Sequence, residues 1–127
     1  MNQKRKKITL NTIKKVYRLA ERVHKGKLSK SAAQYELSKN AEMNPNSAAY
    51  YIQAFLCMMK GKRYARTINE LATRHFLKMI HTNFGQQAFF AALSSVEQHA
   101  DNYEKFNHGK LQNIIDIHRE FSKKYIL

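Results

Sequence analysis

Six histidines and one cysteine are the side chains with the most chemical reach in this chain, so their spacing is read first. A metal on a helix needs ligands that share a face, typically an i, i+4 pair, or a cysteine pair. His24, His75, His81, His99, His108 and His118 contain no i, i+4 pair, and His75 and His81 fall on different helix faces. No metal site and no cofactor is expected. His75 instead reads as a polar residue at a core edge, bonded to a backbone or side-chain partner. Cys57 has neither a neighbouring base nor a helix start to lower its thiol pKa, and reads as a small apolar filler. Asp101 and Glu104 stand three apart, but Lys105 beside them suggests a solvated helix end. No nucleophile, base and anion hole assemble, so the chain is expected to bind and not to catalyse.

Charge is the stronger signal. The 127 residues carry a formal net charge of +14. Residues 1–66 hold 16 Lys/Arg against Glu21, Glu36 and Glu42, a balance of +13, whereas residues 67–127 hold seven Lys/Arg against six acids. Each cation that displaces a condensed counterion adds affinity for a polyanion, which puts nucleic acid first among partners. The densest cluster is Lys60, Lys62, Arg63 and Arg66 around Tyr64, in the stretch MKGKRYARTINE. It lies between Gly61, a helix stop, and a Thr67-x-x-Glu70 capping box, a helix start. Exposed amides at that start favour an anion, so the four cations with Thr67 and Asn69 form a candidate phosphate grip. Tyr64 offers a ring for stacking on an unpaired base, worth about 1–3 kcal/mol. Its bland alternative is a tyrosine folded back onto the core.

These residues need elements to position them, and those elements read as helices. One proline, four glycines and no alternating β-branched run predict an all-α bundle of about six helices. A basic N-terminal arm, residues 1–10, precedes a single helical domain over residues 11–127. Ile13, Val16, Tyr17, Ala20 and Val23 recur at helical spacing up to Gly26. Ser29 caps a second helix that buries Ala32, Ala33, Leu37 and, at its edge, Tyr35. Asn44 caps a third, with Pro45 at its first position, running to Lys60. Its inward stripe is Ala48, Ile52, Phe55, Leu56 and Met59, with Tyr51 at the edge. A fourth helix from Thr67 buries Ile68, Leu71, Ala72, Phe76, Met79 and Ile80 up to Phe84-Gly85. A fifth, residues 86–102, buries Phe89, Leu93, Val96 and Ala100; a sixth, residues 110–124, buries Leu111, Ile114, Ile117 or His118, and Phe121.

Helices two and three compare with a helix-turn-helix, whose second helix enters the major groove. Met43-Asn-Pro-Asn-Ser-Ala48 followed by Tyr51 has the rhythm of its turn and recognition helix, although no tight glycine turn precedes it. On that reading Asn46, Ser47, Tyr50 and Gln53 form the base-facing side, since Asn and Gln can pair bidentately with adenine.

The residues Ser47-Ala48, Tyr51-Ile52, Met59, Gly61, Tyr64, Arg66-Thr67-Ile68-Asn69, Ala72-Thr73, Phe84-Gly85, His99 and Tyr103-Glu104 carry a resemblance. The stretch from Asn46 to Phe121 resembles the helical N-terminal region that precedes HNH nuclease modules in bacterial, modification-dependent restriction-like proteins. That resemblance implies a targeting module for double-stranded DNA bearing 5-methylcytosine or a related base. It also implies a C-terminal HNH nuclease partner; this chain holds no HNH motif, and Asn102 replaces an aromatic of the pattern. Two rivals stand beside it: an RNA-binding protein whose tyrosines stack unpaired bases, and a protein-interaction module using helices five and six. The lack of a long apolar run and of a secretory leader predicts a cytoplasmic protein with no membrane partner.

Overall fold

A computed structural model describes residues 7–40, 42–107 and 109–125, with the side chain of residue 107 outside the description. The basic arm up to Lys6 and His108 thus lie outside the described residues. Those described are all-helical, with six helices: α1 (Leu10–His24), α2 (Lys30–Ser38), α3 (Pro45–Lys60), α4 (Glu70–Phe84), α5 (Gln86–Asn107) and α6 (Gln112–Tyr125). They resolve into two compact units, Met1–Ile52 and Gln53–Leu127, divided within α3. No helix among the described residues is long and apolar enough to cross a membrane.

In the first unit, α2 packs on α1. Thr9 and Ser29 cap these helices, their hydroxyl oxygens accepting from the amides of Thr12 and Ala32 at 3.3 and 3.1 Å. Ile13, Val16, Tyr17 and Ala20 of α1 are buried with Ala33 and Leu37 of α2, leaving Tyr35 outside at 64% exposure. The turn into α3 closes with the Met43 amide donating to the Leu37 carbonyl at 3.1 Å. Asn44 Oδ1 accepts from the Asn46 amide at 2.8 Å, while Pro45, with no N–H to satisfy, takes the first helical position. Lys15 and Glu42 pair at 2.9 Å across this unit.

In the second unit, α4, α5 and α6 pack on one another around Phe76, Leu77, Ile80, Phe89, Leu93, Val96, Ile114, Ile117 and Phe121. Phe55 of α3 meets Phe76 edge to face, centroids 5.7 Å apart. Gly85 alone joins α4 to α5: its amide donates to the His81 carbonyl and its own carbonyl accepts from Phe89. A φ of 89° with ψ of −175° is a backbone region open to glycine, so one residue can both end one helix and begin the next.

Expected helix bounds and core positions are corrected here. Helix α4 begins at Glu70 under an Asn69 cap, whose Oδ1 accepts from the Ala72 amide at 2.8 Å; Thr67 does not form the capping box. Leu71, expected in the core, faces solvent at 45% exposure, while Thr73 and Leu77 are buried. Helix α5 continues five residues beyond 102, to Asn107. Cys57 is half-buried, with Gln53 Nε2 3.5 Å from its sulfur.

Candidate nucleic-acid interface

The cationic segment after α3 owes its shape to backbone bonds and three side chains of α5. Helix α3 ends in a Schellman arrangement: the Gly61 amide donates to the Met58 carbonyl at 3.3 Å and the Lys62 amide to the Cys57 carbonyl at 3.0 Å. That turn needs the positive φ of 66° found at Gly61. Beyond it the chain runs without helix until Asn69, so its carbonyls need partners from elsewhere. Helix α5 supplies them. Gln98 Nε2 donates to the Gly61 carbonyl at 2.9 Å, and Ser95 Oγ donates to the Lys62 carbonyl at 2.5 Å. His99 Nδ1 lies 2.6 Å from the Tyr64 carbonyl.

Because a carbonyl can only accept, His99 Nδ1 carries the proton, and in the neutral ring Nε2 is then an acceptor. It takes the Thr67 hydroxyl at 2.8 Å. One imidazole therefore ties together two points of the segment three residues apart. Burial pushes the His99 pKa down, opposed by the bond to the Tyr64 carbonyl and aided by the charge of nearby Arg63. The fold favours the neutral ring.

Tyr64 lies flat against this imidazole, centroids 4.3 Å apart and planes 16° from parallel, with 2% of its surface exposed. This corrects its expected role as a base-stacking platform: the ring packs in the core, as the bland alternative had it. Its hydroxyl is buried without a hydrogen-bond partner among the described residues, and burial, then the neighbouring Cys57, raises its pKa well above the usual phenol range.

With Tyr64 turned in, the flanking cations turn out. Lys60, Lys62, Arg63 and Arg66 are all exposed. Lys60, Lys62 and Arg63 make no ion pair with a described acid. Thr67 and Asn69 are half-buried and engaged, Thr67 with His99 and Asn69 as the α4 cap. Both border a cavity of about 460 Å³ lined also by Glu70, Lys110 and Leu111. Glu70 puts a carboxylate in the first turn of α4, where it competes with an incoming anion for the positive end of the helix.

On α3, Asn46 and Gln53 are exposed, and Ser47 and Tyr50 are half-buried. Tyr50 leans on Tyr51 at 5.3 Å, and its hydroxyl lies 3.4 Å from Ser47 Oγ. These four occupy one side of the helix, opposite the buried Ala48, Ile52 and Phe55. The sequence reading did not single out Ser95 and Gln98. Their signal was available: Ser95, Gln98 and His99 are polar residues within one turn, alongside an otherwise apolar stripe.

No family model, no curated protein and no solved structure matches the chain.

Proposed function

We propose that this chain is a DNA-binding module that grips the phosphate backbone with Lys60, Lys62, Arg63 and Arg66. The observation carrying this reading is the anchored segment itself: a non-helical stretch whose carbonyls at Gly61, Lys62 and Tyr64 are bonded to one helix, holding exposed cations on a defined backbone. Preorganised cations lose less entropy on meeting phosphate than cations on a loose tail. Arginine adds a planar fork that matches phosphate oxygens in pairs. Inward packing of Tyr64 weighs against the RNA reading that needs its ring for stacking.

The finer part of the proposal follows the resemblance: the duplex carries 5-methylcytosine or a related base, and a linked HNH nuclease cuts it. Asn46, Ser47, Tyr50 and Gln53 are the base-facing candidates. A buried methyl contributes only about 0.8 kcal/mol and pocket discrimination about 1–3 kcal/mol, so phosphate contacts must supply most of the affinity.

Fluorescence anisotropy with otherwise identical duplexes, unmodified, hemimethylated and fully methylated at cytosine, tests both levels across a salt series. The K62Q/R63Q variant is expected to lower the slope of log K against log salt by about 1.8 on every duplex, since each phosphate contact contributes about 0.9. An unchanged slope removes the segment from the interface. Equal affinity for the three duplexes removes the modification reading and leaves backbone binding in place.

A further inference from the structure

Helix α1 carries a second ordered set of cations that the segment after α3 does not use. Lys14, Arg18 and Arg22 recur at i, i+4 spacing on its exposed side, while Ile13, Val16, Tyr17 and Ala20 fill the core on the other. Two neighbouring cations are paired, Lys15 with Glu42 at 2.9 Å and Lys25 with Glu21 at 3.4 Å. Glu21 is the one acid in the helix, and Lys14, Arg18 and Arg22 make no ion pair with a described carboxylate of any element. Like charges at i, i+4 repel, and a chain that needed only solubility would gain by interleaving acids there. The helix instead presents a one-sign row rising about 6 Å per step.

We infer that this face of α1 is a second contact surface for the phosphate backbone of duplex DNA, made by Lys14, Arg18 and Arg22. The inference rests on the DNA-binding reading and extends it from one compact unit to the other. Three cations spread over about 12 Å of helix can each meet a phosphate on a strand that presents a charge about every 3.4 Å along the duplex axis. An anionic membrane offers the same charge, but a membrane-seeking amphipathic helix must insert its apolar face. Here that face is the core of the unit.

Anisotropy on a labelled duplex over a salt series, comparing wild type, K14Q/R18Q/R22Q and K62Q/R63Q, tests the inference. The α1 variant is expected to lower the slope of log K against log salt by about 2.7. Its circular dichroism spectrum should be unchanged and its melting temperature equal or higher, because the substituted side chains are exposed and mutually repulsive. R18K/R22K, which keeps the charge, is expected to hold the slope, and the single variant R18Q, expected to lower it by about 0.9, decides the matter if the triple variant folds poorly. An unchanged slope for the α1 variant with a reduced one for K62Q/R63Q overturns this inference and leaves the first surface standing. The reverse pattern supports α1 and removes the first surface. Absence of wild-type duplex binding overturns both, as does binding confined to phosphatidylserine vesicles.

Discussion

His99 is the residue on which the candidate interface turns, because one ring makes two bonds and one stacking contact to the segment it holds. Its folded pKa lies below the usual 6.5, through burial first, so the unfolded chain binds the proton more readily. By linkage, this residue's contribution to stability is full above about pH 6.5 and declines as pH falls from there toward the folded pKa. Urea unfolding of wild type and H99Q between pH 7.5 and about 5 should show a steeper loss in the wild type; parallel curves would mean the ring is not held neutral. Tyr64 supports a second test. Its buried hydroxyl bonds to no described group, and an unsatisfied buried group costs about 1–3 kcal/mol. Y64F should therefore raise stability by about 1 kcal/mol and leave duplex affinity unchanged. A loss of affinity would return Tyr64 to the contact surface.

At the scale of elements, what was legible came from local rules and what was missed came from contacts distant in sequence. Ser29 as a cap, Asn44-Pro45 as a start, and Gly61 and Gly85 as helix ends are each decided within a few residues, and each stands in the structure. Thr67 and Asn69 are two competing caps for α4, and local rules could not choose between them. His99, 32 residues away, occupies the Thr67 hydroxyl and leaves the cap to Asn69. The fate of Tyr64 was hidden for the same reason: only the stacking partner on α5 makes burial of the ring favourable. The cationic cluster itself was plain in the sequence, whereas the three α5 side chains that shape it were not. Two substitutions check this division. N69A should cost about 1 kcal/mol by leaving the Ala72 amide without its acceptor. G61A should cost about 1–2 kcal/mol through backbone strain at positive φ, since the added Cβ would meet Ala91 at an ordinary 3.4 Å. A neutral N69A would mean that Asn69 is not the cap of α4.

For the whole molecule, the uneven charge has an energetic consequence that differs between the two compact units. The first contains α1 and α2 and twelve Lys/Arg against three acids; the second holds eleven against six, its excess lying in the segment after α3, while α4, α5 and α6 themselves carry charges of both signs in near balance. Self-repulsion in the first unit falls as salt rises, because the screening length shortens from about 30 Å at 0.01 M to about 10 Å at 0.1 M. Among α4, α5 and α6, screening removes a little attraction as well as a little repulsion; the Arg74–Glu120 pair that links α4 to α6 at 2.6 Å is exposed to the same salt. Amide hydrogen exchange should therefore show protection in α1 and α2 rising between those salt concentrations while protection in α4 and α5 changes little. Duplex DNA at low salt should have the same sign of effect on α1, since phosphates neutralise the row that ions otherwise screen. Uniform changes along the chain would mean that net charge acts only on solubility, and the cations of α1 would then be a solvated face without a partner.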